Sequence, residues 1–136
     1  MRLLLAALVG IALALAGCGG DDGGGGEEGG GEIDLRVTVY PNGVAGDSTM
    51  WTLQCDPVGG DHPDRDAACA RFAALDDPFG KVKHVPRCDE IPGATPEVAL
   101  IEGDFHGRMV EERFDRSSGC VFERWDRLGP VFPTGF

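Results

Sequence analysis

The sequence predicts one small two-layer α+β domain over residues 33–136, an antiparallel sheet with two helices on one side, and three observations carry that prediction. Apolar and polar residues alternate from Ile33 to Tyr40, the period of a strand with one wet face. Ala68, Phe72 and Leu75 recur at helical spacing. Four cysteines, Cys55, Cys69, Cys88 and Cys120, are available as staples for a chain with room for only one core.

In the first strand Ile33, Leu35, Val37 and Val39 alternate with Asp34, Arg36 and Thr38, and Pro41, Asn42 and Gly43 then turn the chain. Ser48–Gln54 reads as a second strand. Asp64–Leu75 reads as a helix, with acidic residues at its start and Asp76, Asp77 and Pro78 closing it. Glu97–Glu102 is a third strand, apolar on both faces at Val98, Ala99, Leu100 and Ile101, and Gly107–Phe114 a fourth. A short helix follows Cys120, where Val121, Trp125 and Leu128 share a face. Lys81, Val82, Lys83, His84 and Arg87 form the one basic run; it reads as a solvated edge strand, with flanking an interface as its functional alternative.

Residues 1–17 read as a removable signal peptide: Arg2, then an apolar run from Leu3 to Ala16 that is shorter than the ~20 residues a membrane helix needs. Leu15, Ala16, Gly17 and Cys18 resemble the bacterial lipobox, which implies a lipidated Cys18 and an extracytoplasmic chain anchored to the cell membrane. Lipidation also accounts for the odd cysteine of the five. The rest of 18–32 is almost wholly Gly, Asp and Glu and reads as a solvated tether reaching roughly 20 Å. Its acids, Asp21, Asp22, Glu27, Glu28 and Glu32, read as solubilising, since Gly-rich chain holds no fixed cation cage without a large ordering cost.

The net charge of −11 becomes −12 once Arg2 leaves with the signal, and such a chain repels nucleic acid rather than steering it in. No cofactor or metal is expected, because no C-x-x-C or Cys/His cluster is present. Nor does the chain read as an enzyme: Ser117 and Ser118 lack a nucleophile-elbow pattern, and His84 and His106 stand alone in sequence. His62 reads as fixing the turn beneath the first cysteine pair, and Trp51 and Trp125 as packing. Four cysteines allow three pairings; pairing neighbours closes loops whose entropy is worth roughly 3 to 4 kcal/mol each.

Trp51–Phe72 (WTLQCDPVGGDHPDRDAACARF) closely resembles the first cysteine segment of the Streptomyces subtilisin inhibitor family, T-L-x-C-x-P-x-G-G-x-H-P followed by A-C. Thr52, Leu53, Cys55, Pro57, Gly59, Gly60, His62, Pro63, Ala68 and Cys69 fill that pattern. Farther on, Gly103–Gly107 looks like the family's G-x-W-x-G with Phe105 for Trp, and Glu112, Arg113, Phe114, Cys120 and the closing Val131–Phe136 follow in family order. The resemblance implies an antiparallel sheet of about five strands with two helices, and disulfides Cys55–Cys69 and Cys88–Cys120. It also implies inhibition of a subtilisin-like serine protease, and allows the homodimer that family members form.

It further implies that the protease meets the loop after the third cysteine: Cys88 at P3, Asp89 at P2, Glu90 at P1 in the primary specificity pocket, Ile91 at P1′ and Pro92 at P2′. A loop held ready by a disulfide loses little entropy on docking. Three departures bear on this. Glu90 stands where the family has Met, Leu, Lys or Arg; Pro92 lacks the N–H that a substrate-like strand donates; and Cys88–Pro96 is two residues longer. Two readings follow: an inhibitor of a protease that accepts acidic P1 residues, or a non-inhibitory cell-surface interaction domain on the same scaffold.

Overall fold

Alternation sets the first strand. Ile33, Leu35, Val37 and Val39 lie on one face of β1 (Ile33–Tyr40) and all are buried, while Asp34 and Arg36 on the other face are exposed. The computed structural model describes residues 32–135; the signal segment 1–17, Cys18 and the tether up to Gly31 lie outside the described residues. β1 pairs with β2 (Thr49–Cys55) on one side and β3 (Val98–Phe105) on the other, and β3 pairs with β4 (Arg108–Asp115). All pairs are antiparallel and the order is β2-β1-β3-β4.

Two expectations are corrected. Among the described residues the sheet has four strands, not about five. The basic run is solvated but is no strand: among the described residues the backbone bonds of Phe79 to Arg87 close turns, Gly80 N–H to the Asp77 carbonyl, Cys88 N–H to the Val85 carbonyl and Glu90 N–H to the Arg87 carbonyl. Pro78 precedes it and Pro86 lies within it, each without a donor. The third strand also runs three residues beyond Glu102. Gly103 lies inside the strand, where its φ of +133° and the nearness of β1 require glycine: a Cβ there would lie 2.3 Å from the Asp34 carbonyl oxygen. The strand therefore continues to Phe105, and His106 and Gly107, both at positive φ, make the two-residue hairpin turn.

Both helices, α1 (Arg65–Ala73) and α2 (Phe122–Leu128), bury their apolar stripes in one cluster with the inner sheet face: Ala68 and Phe72 from α1, Trp125 and Leu128 from α2. Phe105 stacks between Phe72 and Phe79 at centroid distances of 5.3 and 5.0 Å, and Phe132 between Phe114 and Trp125 at 5.1 and 4.5 Å. Phe114 is 1% exposed and carries the Arg124 guanidinium over its ring. Phe114→Ala is expected to cost about 3–5 kcal/mol, measured by chemical denaturation, through lost transfer energy and the cavity left behind.

The segment after β2 is tied down by side chains. His62 is 2% exposed; its Nδ1 accepts the Asp64 N–H at 3.1 Å, so Nε2 carries the proton and donates to the Val131 carbonyl at 3.0 Å. This histidine joins the first disulfide turn to the C-terminal segment. Beside it, the backbone N–H and hydroxyl of Thr52 donate to Asp61 and hold its carboxyl below the usual range. A depressed acid stabilises above its unfolded pKa, and that contribution is lost as the pH falls through the folded value. Asp61→Asn is therefore expected to flatten the acid side of the stability–pH curve, followed by melting temperature between pH 6 and pH 2.

Candidate functional site

The disulfides pair Cys55 with Cys69 and Cys88 with Cys120, across sequence separations of 14 and 32 residues. The second closes the loop singled out from the sequence. Cys88 is 2% exposed and anchors it, whereas Asp89, Glu90, Ile91, Pro92 and the following residues to Pro96 all face solvent. At the far end the Thr95 N–H donates to the Arg116 carbonyl at 2.9 Å, and Arg116 N–H returns to the Glu97 carbonyl at 3.2 Å, so the loop re-enters the sheet at the start of β3. The exposed peptide thus hangs between two fixed points, a covalent one at Cys88 and a hydrogen-bonded one at Thr95.

The chain beyond Cys88 supports the loop from below. Gly119 sits so close to it that a Cβ there would lie 2.2 Å from the Cys88 carbonyl oxygen and 2.5 Å from Ile91 Cβ. The Phe122 ring lies under Gly93. Gly119→Ala must displace the loop, because one of the conflicting atoms is backbone. Proteolytic cutting within 88–96 is expected to rise at least about tenfold with little loss of global stability, as read by timed digestion and mass spectrometry, since a backbone clash at a tight approach opens structure locally.

Sequence reasoning missed the conformation at Cys88–Glu90. An extended, strand-like shape is expected of a substrate mimic, but these residues form a single 3-10 turn, entered by Arg87 at φ +58°, and extended backbone starts only at Ile91. The Glu90 N–H donates to the Arg87 carbonyl at 3.1 Å and the Ile91 N–H to the Cys88 carbonyl at 3.2 Å. The Glu90 carboxylate meets the Arg87 guanidinium at 2.7 Å, three residues back. The sequence signal was present: a cation and an anion at i, i+3 favour one helical turn. The ion pair is exposed and worth about 0–1 kcal/mol.

His84, isolated in sequence, comes to rest with Nδ1 3.8 Å from Cys88 Sγ. His84, Cys88 and Cys120 bring ligand-type atoms within 4.8 Å of one another. Both sulfurs are spent in the disulfide, and it is thiolate that soft metals take up. Trp125 is core, while Trp51 is half-buried against it and meets the His62 ring edge-on at 6.1 Å.

The model of the subtilisin inhibitor-like family matches residues 32–116, ending before Cys120. Subtilisin inhibitor-like protein 1 of Streptomyces cacaoi is 34% identical over 79 residues, covering 54% of this chain and 69% of that protein. Subtilisin inhibitor-like protein 5 of Streptomyces fradiae is 35% identical over 82 residues, 60% of this chain and 75% of that one. Among solved structures, a chain in the crystal structure of Streptomyces caespitosus sermetstatin in complex with Bacillus licheniformis subtilisin matches with a TM-score of 0.49 and 23% identity, over 77% of this chain and 100% of that one. With most of the described domain matched and two relatives above 30% identity, the chain belongs to the subtilisin inhibitor-like family.

Proposed function

We propose that this protein is a membrane-tethered inhibitor of an extracytoplasmic serine protease, which it binds as a substrate would through the loop after Cys88. The observation that carries the reading is the pair of anchors around an exposed peptide in a member of this family. Cutting the Glu90–Ile91 bond would leave both new ends tied, one through Cys88 to Cys120 and the other through Thr95 to Arg116. Ends that stay together react at high effective concentration, so religation outruns release and the enzyme remains occupied.

Docking carries a conformational cost that a ready-made strand would not. A peptide added to an enzyme's strand pairs through its own N–H and C=O groups, and in the 3-10 turn the Glu90 N–H and Cys88 carbonyl are already used. Opening two exposed hydrogen bonds costs roughly 1–3 kcal/mol. The same observation favours a second reading, a non-inhibitory cell-surface interaction domain that keeps the turn closed.

Incubating the purified full chain with a subtilisin, a trypsin and a glutamyl-specific protease separates the two. Slowed turnover of at least one enzyme with the loop largely intact supports inhibition. A loop cut quickly that stays cut, or three unaffected enzymes, leaves only the interaction domain. Anchoring is tested separately: Cys18→Ala should abolish fatty-acid labelling and release the protein from membranes. Light scattering reports whether the domain pairs with a second copy.

A further inference from the structure

We infer that the cationic run Lys81–Arg87 extends the protease-facing surface and meets an acidic rim on the partner enzyme. The inference rests on the inhibitor reading above and adds to it the charge of the partner beside its cleft.

Residues 32–135 carry 19 of the 23 acidic residues, all but Asp21, Asp22, Glu27 and Glu28, against 11 Lys and Arg. Between Asp77 and Asp89 there is no acid, but there are Lys81, Lys83 and Arg87, with His84 among them. Lys81 and Lys83 are exposed, and among the described residues neither makes an ion pair or a side-chain hydrogen bond. Their charge is therefore directed at solvent or at a partner. Arg87 is paired with Glu90, and elsewhere Arg36, Arg116, Arg124 and Arg127 each meet a neighbouring carboxylate, while Arg65, Arg71, Arg108 and Arg113 make no ion pair among the described residues but are scattered along the chain rather than gathered in an acid-free run.

The run is continuous with the loop in space as well as in sequence. The Val85 carbonyl accepts the Cys88 N–H, and the His84 ring lies against the disulfide sulfur. Val85 is 54% exposed, an apolar side chain standing between the cations and the loop. In a substrate-like complex, the residues before the scissile bond lie along the enzyme's cleft, which puts Arg87 four positions before the bond and Lys83 eight. A stable interface buries about 800 Å² on each partner, more than a few loop residues supply, so the flanks are drawn in.

Polarity does the rest. A protein this acidic is turned away by an acidic enzyme surface unless it approaches through a basic segment such as this acid-free run. Along the chain, cations at Lys81 and Lys83 are followed by anions at Asp89 and Glu90, a two-sign pattern that selects a partner with an acidic rim and a cationic pocket and rejects the inverse.

The test is the association rate of the full chain with whichever of the three proteases above it slows, at about 20 and about 200 mM salt. Lys81→Glu with Lys83→Glu is expected to slow association about tenfold or more at low salt, with the dissociation rate little changed and the difference shrinking at high salt. Both positions are exposed, so the melting temperature should hold, and Lys81→Gln with Lys83→Gln should fall between. Equal or faster association by the reversed variant overturns the inference while leaving the inhibitor reading intact. Wild-type chain that slows none of the enzymes overturns both. Binding to phosphatidylglycerol vesicles that the reversal abolishes, with inhibition unchanged, assigns the run to a membrane surface and overturns the inference as well.

Discussion

Replacing Cys88 and Cys120 together by alanine is expected to lower the unfolding free energy by about 4 kcal/mol and to turn the loop into an ordinary cleavage site. The stability figure follows from the 32-residue separation closed by the bond, whose entropy the unfolded chain regains. Set against the 5–15 kcal/mol typical of a whole domain, that is a large fraction. The functional effect follows from geometry: without the bond, a cut before Ile91 leaves Cys88–Glu90 on an untethered end, and hydrolysis becomes final. The informative control is Cys55→Ala with Cys69→Ala, which should cost about 3 kcal/mol for a separation of 14 residues but leave the loop anchored. Digestion is compared well below both melting points. Equal loop cutting in the two variants would mean that the second disulfide serves stability alone.

The sheet was legible in the sequence because its signals are periodic and local. Alternation in β1 and the apolar spacing in α1 each follow from one buried face, and both elements form where expected to within a few residues. The third strand was expected to end at Glu102 and runs on to Phe105, because a glycine that ends a strand and one that admits a neighbouring backbone look alike along a single chain; only the position of Asp34 on β1 separates them. The basic run misled in the opposite sense. Its alternating Lys81, Val82, Lys83 has the composition of an edge strand, but a strand needs a partner ladder, and chain composition does not say whether one is within reach.

The loop divides the same way. Its limits, exposure and cysteine anchors follow from the family likeness, and the structure brings Cys88 and Cys120 together with Glu90 and Ile91 at the surface. Its shape does not follow, because a three-residue turn depends on balances of about 1 kcal/mol: an exposed ion pair, two hydrogen bonds and one residue at positive φ. A binding partner shifts such balances readily, so the resting turn and the bound loop need not share a shape.

Glu90→Leu is expected to strengthen inhibition of subtilisin by about a hundredfold or more and to abolish inhibition of a glutamyl-specific protease. An unpaired carboxylate forced into an apolar pocket costs several kcal/mol, and each 1.4 kcal/mol is a factor of ten in affinity. Leucine removes that penalty and also releases Arg87, so the turn opens more easily. Arg87→Ala separates the two contributions: it keeps the carboxylate but frees it, and should improve inhibition of the glutamyl-specific enzyme a few-fold while leaving subtilisin inhibition weak. Inhibition constants for both variants against both enzymes decide the matter. If leucine at position 90 moves neither constant, Glu90 does not occupy the specificity pocket, and the two-residue lengthening of the loop has shifted the bond presented to the enzyme. If both variants gain equally on subtilisin, the resting turn rather than the acidic side chain limits binding.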